Sequence, residues 1–132
     1  MYLLDTNVCI ALLNGNVGAI AQFNRNFSQC YLSTLVVAEL YKGIYCSQQI
    51  QQNLNHLAEL TMLLPIESFD LGAAAEFGKI QAELRQIARP TGVVDALIAA
   101  VARSRQDVLV TNNLRHFENI PHLLLQNWLV AN

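Results

Sequence analysis

Charge is scarce in this sequence: 14% of its 132 residues are Asp, Glu, Lys or Arg, against 53% hydrophobic residues. So little charge excludes a solvated, disordered chain. The length suits one domain, residues 1–132, with an ordinary core, and the apolar excess implies that a partner covers part of the surface. No apolar run approaches the ~20 residues that span a bilayer, and the amino terminus lacks the basic, apolar and small-residue order of a signal peptide, so a cytoplasmic protein is expected. Cysteines are few, odd in number and scattered (Cys9, Cys30 and Cys46). That argues against a disulfide framework or a zinc site and predicts three small buried hydrophobes. The first apolar strand is not followed by a glycine-rich loop, which disfavours a phosphate-binding nucleotide fold.

The formal charge of −2 is unfavourable for a nucleic-acid partner, but six of the eight basic residues fall in the second half of the chain. Net charge therefore decides little, because phosphate contacts depend on where the basic residues lie.

The apolar pattern alternates strands and helices. "YLL" before Asp5 reads as a short buried strand, and "NVCIALLNGN" as a short helix with a Gly-Asn stop. "CYLST" reads as a second strand whose Ser33 or Thr34 caps the helix "LVVAELYKGIY". "SQQIQQNLNHLAEL" is amphipathic, and "TMLLPI" is a strand candidate placed at an edge by Pro65. Helical spacing resumes from Phe69 to Ile87, "RPTG" breaks it, and "VVDALIAAVA" is a helix apolar all round. "DVLVT" and "LLLQNWL" supply further strands. The class is α/β, with a central parallel sheet covered by helices on both faces. Asp5, Ser33 and Thr111 then sit at carboxyl ends of strands, where such sheets bind ligands.

Three acids do not read as solvated surface. Glu39 shares a helix face with Leu35, Val36 and Gly43, and Asp95 is the sole charge between Gly92 and Ala102. Asp95 at a helix start gains ~0.3–1 kcal/mol from the macrodipole, less than the several kcal/mol that burying an unpaired carboxylate costs. Only Lys42 lies at helical contact spacing from either acid. Asp5 alone reads equally as a turn residue. Together the three carboxylates fit a shared divalent cation, and oxygen donors without nearby His or Cys select Mg²⁺ or Mn²⁺. Such an ion activates water and stabilises the leaving oxygen in phosphodiester hydrolysis.

"LLDTN", "STLVVAEL", "GVVDALIAAVA" and "VLVTNNLRHFENIP", in that order, resemble the PIN domain, and most closely its VapC branch of ribonuclease toxins. The resemblance spans essentially the whole chain and implies a three-layer α/β/α fold. It places Asp5, Glu39 and Asp95 as the ligands of Mg²⁺ or Mn²⁺ and as catalytic residues. Thr6, Asn7, Ser33 and Thr111 fall at small polar positions lining the same pocket, where each reads equally as a cap or turn residue. Many PIN nucleases carry a fourth acid in the region held here by Thr111, Asn112 and Asn113. Asn113 is the better match for it, and an uncharged amide there favours one tightly held ion.

The resemblance further implies a homodimer, a VapB-type antitoxin whose carboxyl-terminal segment lies over the groove, and a structured RNA substrate such as tRNA or rRNA. The apolar stretches 35–45 and 50–60 suit that covering surface and read equally as core. Arg85, Arg89, Arg103, Arg105 and Arg115 are candidates for phosphate contacts, each also readable as a surface charge. Two other readings stay open: a PIN nuclease for RNA processing or structured DNA without a toxin role, and a binding module that has lost catalysis.

Overall fold

The computed structural model describes residues 1–129. Five parallel strands form one sheet in the order β3-β2-β1-β4-β5. They are β1 (Tyr2–Leu4), β2 (Cys30–Ser33), β3 (Ile66–Glu67), β4 (Val108–Val110) and β5 (Leu124–Gln126). Between them run α1 (Thr6–Leu13), α2 (Val17–Asn26), α3 (Thr34–Tyr45), α4 (Ile50–Leu63), α5 (Leu71–Gln86), α6 (Val93–Arg105) and the short α7 (Leu114–Phe117). Helices cover both faces, which is the three-layer α/β/α architecture expected of parallel strands buried on both sides.

The strand order places the site. The chain builds outward from β1 through β2 to β3, then crosses back to lay β4 on the other side of β1. The connections leaving β1 and β4 therefore diverge, and a crevice opens between the carboxyl ends of these two strands. Asp5 and Thr111 are the first residues past those ends. The ladder fixes both: the Asp5 amide donates to Val110 O at 2.9 Å, and the Thr111 amide to Gln126 O at 2.9 Å.

Leu3, Leu4, Tyr31, Leu32, Leu109 and Val110 fill the centre of the sheet and are fully buried. Helix α6 buries every residue from Ile98 to Ala102, and its alanines allow close approach to neighbouring elements. Among the described residues no helix is long and apolar enough to cross a membrane.

Several expectations need correcting. "TMLLPI" is not a strand over its length, because α4 continues to Leu63 and only Ile66 and Glu67 pair, with Leu32 and Ser33. The spacing of Leu57, Leu60 and Leu64 keeps one helix face buried, and the Leu64 amide still reaches Leu60 O at 3.3 Å. Pro65 immediately precedes β3, which is the edge strand anticipated. Helix α2 and the 3₁₀ turn Phe27–Gln29 lie in a stretch that the apolar pattern left unassigned. Cys9 and Cys30 are buried, and burial pushes the Cys30 thiol up to about 11, but Cys46 caps the end of α3 in solvent.

Candidate metal centre

Asp5 anchors the site. It is only 4% exposed and caps α1, its Oδ1 accepting from the Thr6 amide at 2.8 Å. Its Oδ2 accepts from the Thr111 hydroxyl at 2.8 Å and from Asn7 Nδ2 at 3.3 Å. Asn7 also accepts the Asn112 amide at 2.9 Å through Oδ1. One asparagine thus ties the turn after β1 to the loop after β4.

Glu39 comes from the middle of α3, where its Oε1 accepts from the Thr6 hydroxyl at 2.6 Å. Asp95 comes from the first turn of α6. Burial pushes the Asp5 carboxyl above its ordinary value, and the nearby charges of Asp95 and Glu39 push the same way. Bonds from Thr111 and Thr6 oppose that rise without cancelling it. Asp5 is thus close enough to both other acids for their like charges to act on it.

Among the described residues no Lys or Arg pairs with any of the three acids; the only ion-pair partner is His116, whose Nδ1 lies 3.0 Å from Asp95 Oδ2. Lys42, expected near Glu39, makes no such pair. Crowded carboxylates without a counter-charge fit a divalent cation, and the hard oxygen donors suit Mg²⁺ or Mn²⁺. No three acid, His or Cys side chains among the described residues already surround a single point. The outer two carboxylates are turned onto protein partners, Glu39 onto Thr6 and Asp95 onto His116.

The remaining candidates separate clearly. Ser33 is fully buried, and its hydroxyl accepts from the Leu35 amide at 2.9 Å, so its role is to cap α3. Thr6, Asn7 and Thr111 line the carboxylates directly. Asn113 is exposed, and its amide N–H bonds Thr111 Oγ1 at 3.0 Å, while its side chain meets none of the three acids. Beyond Thr111, a further side chain after β4 reaches an acid, that of His116, which the sequence reading passed over. Asp95 also departs from expectation: its side chain is 25% exposed, because α6 begins at the surface and becomes fully buried only from Ile98 onward.

The arginines divide by end of the sheet. Arg103 Nε bonds Glu76 at 2.7 Å, its Nη1 bonds Glu83 at 2.7 Å, and the side chain is 8% exposed. Arg105 lies over the Tyr31 ring and bonds Asp107 at 3.2 Å. Asp107 also accepts the Tyr31 hydroxyl at 2.7 Å. Burial alone would raise the Asp107 carboxyl, but these donors and the amino terminus hold it below its ordinary value. Arg103 and Arg105 therefore belong to the framework at the strands' amino ends and are corrected as phosphate candidates. Arg85 in the last turn of α5, Arg89 in the loop before α6 and Arg115 in α7 are exposed, and among the described residues form no ion pair.

A groove of about 440 Å³ opens beside Glu39, between α3 and α4 and against the end of α1. Ile10, Leu13, Gly43, Ile44 and His56 line it. The two apolar stretches supply both core and surface: Val36, Leu40, Leu57 and Leu60 are buried, whereas Tyr41, Tyr45 and Ile50 face solvent.

A crossed-back parallel sheet with three carboxylates gathered at its switch point defines a known class, and residues 2–123 match the PIN domain. The chain belongs to that family. Within it, the chain is closely related to VapC-type toxins of VapBC toxin-antitoxin systems. It is 37% identical over 128 residues to the tRNA(fMet)-specific endonuclease VapC of Salmonella typhimurium, covering 96% of this chain and 97% of that one. It is 36% identical over 129 residues to ribonuclease VapC2 of Haemophilus influenzae, covering 97% and 98%. The crystal structure of VapBC2 from Rickettsia felis, bound to a DNA fragment from their promoter, superposes with a TM-score of 0.90 at 32% identity, covering 96% of this chain and 98% of that one. This kinship supports a nuclease and toxin role.

Proposed function

We propose that the chain is a Mg²⁺- or Mn²⁺-dependent endoribonuclease, the toxin of a VapBC-type pair, hydrolysing phosphodiester bonds in structured RNA. One observation carries the reading: Asp5, Glu39 and Asp95 converge at the switch point and lack a Lys or Arg partner among the described residues. These three side chains would hold the cation, which supplies Lewis acidity toward the scissile phosphate. Thr6 and Thr111 orient the Asp5 carboxylate by donating to one oxygen each, and Thr6 also steers Glu39. Two relatives are named for cleavage of tRNA(fMet), which makes initiator tRNA the first substrate to try.

The partners follow the same reading. The groove beside Glu39 suits the apolar carboxyl-terminal segment of a VapB-type antitoxin, with a basic side chain reaching the acids. Arg85, Arg89 and Arg115 are exposed, which supports them as the residues that meet RNA phosphates, and a homodimer is the expected assembly.

Inducing the wild type and Asp95→Asn in a bacterial host without antitoxin, and mapping new RNA 5′ ends, tests the reading. Growth arrest with discrete new ends in the wild type alone is the expected result. Soluble, folded wild type that leaves growth and RNA unchanged, and that cleaves no initiator tRNA with Mn²⁺ in vitro, overturns it in favour of a binding module.

A further inference from the structure

The Asp95–His116 pair has no place in an all-oxygen site. Nδ1 of His116 lies 3.0 Å from Asp95 Oδ2. The residue is held from both ends, since its carbonyl accepts the Thr91 hydroxyl at 2.7 Å and its amide donates to Asn113 O at 3.0 Å. Thr91 belongs to the loop that leads into α6, so α7 and the start of α6 are fastened together where the two side chains meet. The ring is 55% exposed, and Asp95 is the sole acid it pairs with among the described residues.

A separation of 3.0 Å also has a coordination meaning. Adjacent ligands on an octahedral ion with bonds of ~2.1 Å lie ~3.0 Å apart. Nδ1 and Oδ2 can therefore become neighbouring ligands of one cation with little movement of either atom, once the proton that Nδ1 shares with Asp95 is released to solvent and the neutral ring carries its proton on Nε2. Asn113, the amide expected in this region, lacks any such approach to Asp95.

We propose that His116 is a nitrogen ligand of the metal centre and biases this chain toward Mn²⁺ and similar transition ions over Mg²⁺. The proposal rests on the metal-dependent nuclease reading and deepens it. Imidazole suits first-row transition ions, whereas Mg²⁺ prefers oxygen throughout, so a single N donor separates ions that three carboxylates alone would treat more nearly alike.

The test is Mn²⁺ titration of the purified protein, with electron spin-echo detection of ¹⁴N coupling to the bound ion and Mg²⁺ competition. Wild type, His116→Asn and His56→Asn are compared, because His56 lines the groove beside Glu39 and is a rival source of nitrogen. Expected is a nitrogen coupling in the wild type and in His56→Asn. In His116→Asn the coupling disappears, Mn²⁺ affinity falls about tenfold and Mg²⁺ affinity changes less than about twofold. His116 is exposed, and unchanged circular dichroism and melting will show that the variant is folded. Mn²⁺ bound without nitrogen coupling, or coupling that survives in His116→Asn, overturns this proposal alone. A wild type that binds no Mn²⁺ overturns it together with the nuclease reading.

Discussion

Thr111 donates its hydroxyl to Asp5 at 2.8 Å across 106 residues of sequence, and both groups are buried. Hydrogen bonds to charged acceptors contribute ~1.5–3 kcal/mol. Thr111→Val keeps the shape and removes the donor. In EDTA at neutral pH the variant is expected to unfold at lower urea concentration, with a loss in that range and an unchanged m-value.

Asp5 itself works against the metal-free fold. Its folded-state value is raised, by burial first and then by Asp95 and Glu39. The sign follows: the raised carboxyl costs nothing below its unfolded value, and stability is lost as pH rises through the folded value. Asp5→Asn should therefore melt a few degrees higher than wild type at neutral pH in EDTA, and the advantage should vanish on acidification. In saturating Mn²⁺ the order should reverse, because ligand binding stabilises only the wild type strongly. Thermal melts across pH, with and without Mn²⁺, check both halves.

Arginines of equal charge should behave oppositely. Arg103→Met breaks a nearly buried clamp on Glu76 and Glu83 and is expected to lower stability by ~1–3 kcal/mol while leaving RNA affinity unchanged. Arg115→Ala should leave melting unchanged, weaken RNA binding, and reduce the slope of log Kd against log salt by about 0.7–1. Denaturation curves and salt-dependent binding of a tRNA separate the two.

Gly43 offers a control over the groove. A Cβ added there meets nothing within 4 Å, and the residue sits inside α3. Gly43→Ala should stabilise the protein by up to ~1 kcal/mol through helix propensity. Gly43→Phe should fold equally well but fill the groove, reducing affinity for an antitoxin-derived carboxyl-terminal peptide by tenfold or more. Calorimetry with that peptide reads the loss, and nuclease activity on free RNA provides the comparison.

Most of the architecture was legible because its signals are local. The strand before Asp5, the Ser33 cap and the apolar helix after Gly92 announce themselves within a few residues, and alternation then implies a parallel sheet. The failures have physical causes. "TMLLPI" is apolar in a way that suits a strand or the last turn of a helix, and only the placement of Leu60 and Leu64 against the core decides. Helix α2 is amphipathic, with Val17, Ile20 and Phe23 at helical spacing, but it is short, rich in Asn, Gln and Arg, and buries just Ala19 completely, so that spacing was passed over. Asp95 looked buried because its neighbours along the sequence are apolar, yet Val93 and Val94 are exposed as well. His116 was invisible because its significance lies in one contact across 21 residues, between a helix start and a four-residue turn. No spacing rule reaches that far.

The central strand also precedes the other four in chain order. Asp5 leaves the ribosome well before its partners, because the carbonyl that fixes its backbone and the hydroxyl that fixes its carboxylate belong to Val110 and Thr111. At ~5–20 residues per second, the intervening 106 residues take on the order of 5 to 20 s to synthesise. A fragment that stops short of β4 carries all three acids and still cannot assemble the pocket. Under the proposed function, the birth of the nuclease and its arming are thereby separated in time, and truncated products are expected to be inactive.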